Sequence, residues 1–235
     1  MMTKESFGIL CSKSGVELHC PYCKRTNIIK SGKSNNNKQR YKCKDCHKRF
    51  INQYDYQAYL TDVNEQIITL TKEGLGIRST ARVLKISTTT LIRRIIEISK
   101  TINQPAIHTG KSYEVDEMRI FIGKKSCLRW IVYALERESK AVVSFNVGRR
   151  TNKTLKTVIK SLEHSRAKKI YTDKLINYQY IINRAQHNTN HRKTNHIERN
   201  NLTMRIHLKR LNRKTLCFSK SILVLFSILR IYFWG

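Results

Sequence analysis

Acidic residues are scarce in this chain of 235 residues: 16 Asp and Glu stand against 46 Lys and Arg, for a formal net charge of +30 at pH 7. Such an excess of cations is typical of proteins that bind polyanions, and nucleic acid is the expected partner. After Glu163 only Asp173 and Glu198 remain as acids. Because a carboxylate repels phosphate, acids that persist in so basic a segment are candidates for metal chemistry, although chance survival is the alternative.

The sequence also lacks an apolar run long enough to span a membrane, which takes about 20 residues. Residues 222–234 are mostly apolar but are interrupted by Arg230, so we expect a buried helix or strand there and no membrane partner. Residues 1–10 lack the apolar core of a signal peptide. We therefore expect a cytoplasmic, nucleoid-associated protein, and in that reducing compartment paired cysteines favour metal over disulfides.

Internal repeats and long low-complexity runs are absent as well, and zones of different composition instead predict a multidomain protein with mixed α+β and α/β structure. The predicted units are a basic, cysteine-rich zinc ribbon at residues 1–55, a helix-turn-helix at 60–100, a polar linker at 101–111 and a domain of strands followed by helices at 112–235.

Four cysteines have the spacing of a structural zinc site. Two Cys-x2-Cys pairs are separated by 19 residues, and they comprise Cys20, Cys23, Cys43 and Cys46. Each pair presents two thiolates on one tight turn, and two such turns supply the four ligands of a tetrahedral zinc. A closed four-thiolate site has no open position for catalysis. A redox dithiol or free thiols are the alternatives.

Helical periodicity with short breaks predicts three helices between residues 62 and 100. Asp62 and Glu65 resemble a capping box, Gly74 and Gly76 end the first helix, and Ser87 caps the third. In a helix-turn-helix the last helix enters the major groove of DNA. The candidate DNA contacts at its start and outer face are Thr88, Thr89, Thr90, Arg93 and Arg94. An ordinary helical bundle is the alternative.

Alternating apolar residues predict three antiparallel strands, at 113–122, 130–135 and 142–147. They are followed by a predicted helix at 151–163, a strand at 169–173, a helix at 175–186, a basic loop at 187–195 and a long helix from about His196. This order matches a ribonuclease H-like fold, in which the first and fourth strands are neighbours.

Three carboxylates converge in that fold: Asp116 on the first strand, Asp173 at the end of the fourth, and Glu198 on the following helix. Because clustered carboxylates repel one another unless cations join them, they indicate a Mg²⁺ or Mn²⁺ site. Two such ions about 4 Å apart would suit phosphodiester cleavage and transfer.

The residues around Glu198 carry a resemblance to a known family. The segment TNHIERNNLTMR at 194–205, with residues 209–215 and 218–221, is very similar to the C-terminal signature of transposases of the insertion-sequence-one family. Asp116, Asp173 and Glu198 resemble its DDE triad, and the preceding zinc ribbon and helix-turn-helix match its domain order. The resemblance covers roughly residues 15–221.

This resemblance implies a transposase that binds the terminal inverted repeats of its insertion sequence and acts as a homo-oligomer. It implies that the triad holds metal while a 3′-hydroxyl is exposed and joined to target DNA. Residues implied to lie near phosphates are Arg199, Asn201, Arg205, Arg210 and Arg213. Some relatives carry a His-Asp pair after the Ser-Lys-Ser stretch, whereas residues 222–235 contain neither type, so no role of that pair is transferred.

Each acid has an alternative interpretation. Glu117 could replace Asp116 as the ligand, although strand alternation places Glu117 on the opposite face and Glu114 on the same face as Asp116. Glu114 would then either assist Asp116 or be a solvated edge residue. Asp173 could simply cap a helix, and Glu198 could be an ordinary first-turn acid. Two other functions also remain: a DNA-binding regulator with an inactive C-terminal domain, and a nuclease that cuts without joining.

Overall fold

A computed structural model describes residues 18–51, 56–60, 62–189, 194–212, 214–215 and 217–235. The first unit is a three-stranded antiparallel sheet of β1 (Ile28–Lys33), β2 (Gln39–Cys43) and β3 (Arg49–Ile51). The polar segment between β1 and β2 turns through Asn37, whose φ is 57°. Cys20, Cys43 and Phe50 form its small core.

The predicted three-helix unit is confirmed as α1 (Val63–Lys72), α2 (Ile77–Val83) and α3 (Thr88–Thr101). Ser87 caps α3, since its hydroxyl accepts a 3.0 Å hydrogen bond from the backbone N–H of Thr90. The predicted capping box at Asp62 is not formed, because this carboxylate accepts a hydrogen bond from the side chain of Gln66.

The catalytic domain is built on a five-stranded sheet. Its strands are β4 (Ser112–Ile122), β5 (Lys124–Glu136), β6 (Val142–Gly148), β7 (Lys169–Tyr171) and β8 (His187–Asn188). Their order is β6-β5-β4-β7-β8, with antiparallel pairing from β4 to β6 and parallel pairing of β4 with β7 and of β7 with β8. This is the predicted ribonuclease H-like arrangement.

Helices cover both faces of the sheet. The helix α4 (Asn152–His164) packs on one face, where Val115 and Val132 lie in the core. The helices α6 (Asn195–His207) and α7 (Ile222–Trp234) pack on the other, against Met118 and Tyr133.

The segment between β7 and α6 differs from its prediction. The helix expected at 175–186 is reduced to α5 (Ile176–Gln179), and the expected loop contains β8. A His-Asn pair has no apolar alternation to reveal a strand, and β8 forms because β7 offers a parallel edge at Ile170 and Tyr171. The long helix also stops at His207, although Leu208 and Leu211 beyond it remain buried.

The apolar C-terminal stretch, predicted as a buried helix or strand, forms the helix α7, and α7 belongs to two cores. Leu225 and Leu229 pack on the catalytic sheet, whereas Ile228 and Ile231 join the core of the three-helix unit. The Arg230 guanidinium donates a 2.6 Å hydrogen bond to the carbonyl of Ile102. None of the helices described here is both long and apolar enough to cross a bilayer.

Candidate active site and metal centres

The four cysteines come together as predicted. Their sulfur atoms all lie within 4.8 Å of one another, with 3.6 Å between Cys20 and Cys46 and 3.5 Å between Cys23 and Cys43. Zinc–sulfur bonds of about 2.3 Å place the sulfurs of a tetrahedral site at similar separations. Burial raises the pKa of Cys20, but hydrogen bonds from the backbone of Cys23 and Tyr22 outweigh it and lower this pKa to about 7. The residues therefore fit a zinc ion.

The residues predicted to contact DNA on α3 divide into two groups. Thr88, Thr89 and Arg93 are exposed. Thr90 and Arg94 instead hold the unit together: the Thr90 hydroxyl lies 2.8 Å from that of Ser87, and Arg94 donates a 2.7 Å hydrogen bond to Asn64. The exposed group is accessible to a partner, and within it Arg93 lies 4.0 Å from the Glu97 carboxylate on the same helix.

Three acidic side chains meet where β7 ends. The pairing of β7 with β4 stops at Glu114, so the β4 edge beside Asp116 and Glu117 lies past the end of that ladder. Asp173 follows β7 by two residues. Carboxylate oxygens of Asp116, Glu117 and Asp173 all lie within 4.8 Å of one another. We call these three residues the acidic group.

Asp116 is held in a fixed orientation. Its Oδ1 accepts a 2.7 Å hydrogen bond from the backbone N–H of Glu117, and its Oδ2 accepts another of 2.7 Å from the Asn201 amide on α6. Burial raises the pKa of Asp116 against these hydrogen bonds, and the negative charges of Asp173 and Glu198 raise it further. Placing a cation here would relieve that repulsion.

Glu117 belongs to the acidic group although strand alternation predicted it on the face opposite Asp116. Its side chain is 1% exposed, and its Oε2 accepts a 3.2 Å hydrogen bond from Arg150. Its buried Oε1 has no hydrogen bond of ordinary geometry among the described residues. Burial raises the pKa of Glu117, against the charge of Arg150. Glu117 does lie on the strand face opposite Asp116, as alternation predicted. The two side chains can still meet, because the edge of β4 beside them is not covered by β7.

Glu198 lies on the first turn of α6, outside the acidic group but near enough for its charge to raise the pKa of Asp116. Its side chain is exposed, and its Oε1 accepts a 3.2 Å hydrogen bond from the Thr194 hydroxyl.

Asp173 lies in the acidic group and also makes a local hydrogen bond: its Oδ1 accepts from the backbone N–H of Leu175 at 3.0 Å, just before α5. Asp173 is not the cap residue of α5, a position that Leu175 occupies.

The residues expected near phosphates have different environments. Arg199 is exposed, while the side-chain Oδ1 of Asn201 accepts a 2.9 Å hydrogen bond from the Tyr133 hydroxyl. Arg205 is half-buried, and Arg210 donates a 3.1 Å hydrogen bond to Ser219. Burial lowers the pKa of Arg210. Arg213 lies outside the described residues.

The ribonuclease H-like sheet, its acidic group and the two N-terminal modules define a DDE-type transposase. Family comparison agrees: residues 111–233 match the IS1 transposase family, while residues 14–47 and 54–97 match the N-terminal and C-terminal domains of InsA. The chain belongs to the IS1 transposase family. It is accordingly an enzyme of DNA strand transfer, with DNA-binding domains that include a zinc ribbon.

Two relatives from Shigella dysenteriae match different halves of the chain. The iso-IS1n protein InsB is 35% identical over 109 residues, which are 46% of this chain and 83% of InsB. The iso-IS1N protein InsA is 35% identical over 82 residues, which are 35% of this chain and 91% of InsA. One polypeptide here therefore contains counterparts of both proteins.

Among solved structures, the chain is similar to a component of the simian T-cell lymphotropic virus intasome in complex with PP2A regulatory subunit B56 gamma. The TM-score is 0.36 at 14% identity, and the match covers 69% of this chain and 66% of that one.

Proposed function

We propose that the protein binds the terminal inverted repeats of its insertion sequence and cuts and joins DNA strands at Asp116, Asp173 and Glu198. The observation that carries this proposal is the acidic group, in which the mutually repelling carboxylates of Asp116, Glu117 and Asp173 have oxygens within 4.8 Å of one another in a chain of net charge +30. Such repulsion is costly unless a cation occupies the site.

Asp116 and Asp173 would hold Mg²⁺ or Mn²⁺ directly, with Glu198 as the third triad ligand and Glu117 Oε1 as a neighbouring oxygen. Hard oxygen donors suit these ions. A pair of bound ions would supply activation of the attacking oxygen and charge stabilisation of the leaving oxygen. Asn201 and the Glu117 N–H would keep Asp116 oriented toward them.

The proposed chemistry consists of two substitutions at phosphorus. In the first, a water oxygen bonds to phosphorus as the bond to the 3′-oxygen breaks, and that oxygen takes a proton to become a 3′-hydroxyl. In the second, this hydroxyl bonds to a target phosphorus, gives up its proton, and displaces the 3′-oxygen of the target strand. One phosphodiester forms as another breaks, so no energy source is needed.

DNA recognition would be divided between the modules. The exposed residues Thr88, Thr89 and Arg93 would meet the major groove, as the last helix of a helix-turn-helix does. Residues proposed to lie near backbone phosphates in the core are Arg199, Asn201, Arg205, Arg210 and Arg213. Insertion of the whole element requires both of its ends in one complex, which favours a homo-oligomer acting on DNA in the nucleoid.

The test uses purified full-length protein, Mg²⁺ or Mn²⁺, and a plasmid carrying the gene's own flanking DNA. Nicks and joined products are mapped for wild type, for Glu198→Gln, and for Glu163→Gln, which changes an exposed acid on α4. We expect joined products at the flank ends from wild type and the Glu163 variant, with DNA binding alone from the Glu198 variant. Cutting without joining would indicate a nuclease, and end binding without cutting by wild type would indicate a regulator.

A further inference from the structure

We infer that Glu114 is a positioning residue whose buried carboxylate fixes the first turn of α6 and thereby holds Glu198 beside Asp116. This inference rests on the proposed function, because it concerns how the third member of the triad reaches the cation site. The sequence left Glu114 between an assisting role and a solvated edge position. The solvated alternative is wrong, since the side chain is 0% exposed.

Glu114 links the central strand to the helix that carries Glu198. It lies on β4, two residues before Asp116. Its Oε2 accepts a 2.9 Å hydrogen bond from the backbone N–H of Ile197, and its Oε1 accepts one of 2.7 Å from the His196 ring. The two donors directly precede Glu198 in the chain. The Glu114 carboxylate therefore binds the helix at the residue that directly precedes the proposed ligand Glu198.

This contact supplies what the start of α6 otherwise lacks. The first N–H groups of a helix have no partners within it, and a capping side chain normally accepts from one of them. Thr194, the residue at the cap position, makes no such hydrogen bond. A carboxylate from a neighbouring strand takes that place, and its negative charge is favourable at a helix N-terminus.

A third contact to Glu114 does not involve α6. Arg137 donates from Nε to Oε1 at 2.9 Å, and its guanidinium lies 4.5 Å from the centre of the Tyr171 ring. Arg137 compensates the buried charge but does not touch the helix. His196 and Arg137 contact the same oxygen of Glu114 but have different roles. The contact with His196 positions α6, whereas the contact with Arg137 stabilises the buried carboxylate.

The position of α6 matters because Glu198 lies near the acidic group without being part of it. A small shift of the helix would change the separation of Glu198 from Asp116. Loss of residues that orient metal ligands typically costs about 10–100-fold in metal affinity or activity. We therefore expect Glu114→Gln, which replaces one acceptor oxygen by a donor group, to weaken Mn²⁺ binding at the acidic site by about 10-fold.

The experiment is a double-mutant cycle on the full-length, zinc-loaded protein, with Mn²⁺ affinity measured by electron paramagnetic resonance and thermal stability measured in parallel. The variants are Glu114→Gln, Glu198→Gln and the double variant. If Glu114 acts through Glu198, its substitution weakens Mn²⁺ binding in the wild-type background but has little further effect in the Glu198→Gln background. Additive losses, or unchanged Mn²⁺ affinity in Glu114→Gln, would overturn the inference.

A second pair of variants covers the case in which Glu114→Gln fails to fold. His196→Ala removes the donor on α6, and Arg137→Gln removes the donor outside it. We expect the His196 variant to lose about 10-fold in Mn²⁺ affinity and the Arg137 variant to lose stability while its affinity stays close to wild type. Equal loss of affinity in both would contradict positioning. Wild-type protein that binds no Mn²⁺ beyond its zinc would instead contradict the proposed function itself.

Discussion

The four-cysteine centre draws its ligands from residues 20–46, in and beside one small sheet, whereas the acidic group combines residues of β4 with Asp173 from the segment after β7. In the first, sulfur atoms 3.5–3.6 Å apart surround a closed site. In the second, Asp116 and Glu117 have raised pKa values, chiefly from burial, and Glu198 is exposed nearby. A closed set of four thiolates suits a permanent structural ion. An open set of carboxylates that repel one another suits exchangeable ions that also contact a substrate.

The largest expected effect is that loss of a zinc ligand unfolds the ribbon but leaves the catalytic domain folded. Cys43→Ser should release zinc and unfold the ribbon, because structural zinc contributes about 10–16 kcal/mol of apparent binding free energy in small zinc domains. The catalytic sheet should persist. Zinc content by mass spectrometry and limited proteolysis measure both results, with Cys127→Ser, outside the cluster, as control. Full zinc retention by the Cys43 variant would break the comparison.

The next effect separates the centres through chemistry. Asp116→Asn should lower strand cleavage by at least about 10³-fold, the scale on which removal of one catalytic group acts. Zinc content and DNA binding should not change, because the substitution is far from both N-terminal modules in the chain. Single-turnover cleavage and gel-shift assays test this, and near-normal cleavage would remove Asp116 from the site.

Cation binding should also stabilise the catalytic domain. Ligand at 100 times its dissociation constant adds about 2.7 kcal/mol to the free energy of unfolding. Mg²⁺ or Mn²⁺ should therefore raise the thermal midpoint of wild type but not of Asp116→Asn. Scanning calorimetry on zinc-loaded protein distinguishes the results; equal midpoint increases in both proteins would show that the ions bind elsewhere.

The smallest expected effect is on pH dependence. Because Asp116 and Glu117 have raised pKa values in the folded protein, the folded state holds their protons more tightly than the unfolded state does. In buffer freed of divalent cations, these two groups should therefore make the folded protein more stable to unfolding as the pH falls from neutral toward the ordinary carboxyl range.

Urea denaturation of wild type and Glu117→Gln over this pH range measures that contribution as the difference between the two proteins. The variant should show the smaller gain on acidification. A larger gain in the variant would mean that Glu117 is stabilised as an anion in the fold, contrary to the direction of its pKa.

How far each centre could be predicted follows from how it is built. The spacing of the cysteines encodes a local fold, so Cys20 to Cys46 could be assigned from the sequence. Asp116 and Asp173 could be placed together because the strand order of the fold makes β4 and β7 neighbours. Their selection over other acids depended on the resemblance to a family more than on physics.

The other features of the acidic centre could not be predicted, because they depend on where strand pairing ends and on contacts between residues that are distant in sequence. Glu117 joins Asp116 because β7 ends opposite Glu114, and nothing in the strand pattern marks that end. Glu114 is buried because donors from α6 and Arg137 converge on it, and those donors are distant in sequence. The strand β8 has only two polar residues and depends on the edge offered by β7.

We propose that the four-cysteine centre serves folding and DNA binding while the acidic centre performs the chemistry. The most direct test gives a pre-cut element end and target DNA to wild type, Cys43→Ser and Asp116→Asn in Mg²⁺, and measures end binding and joined product in the same reaction. We predict that the Asp116 variant binds the end without joining it, and that the Cys43 variant loses specific end binding. Joined product at the wild-type yield from Asp116→Asn would contradict the account.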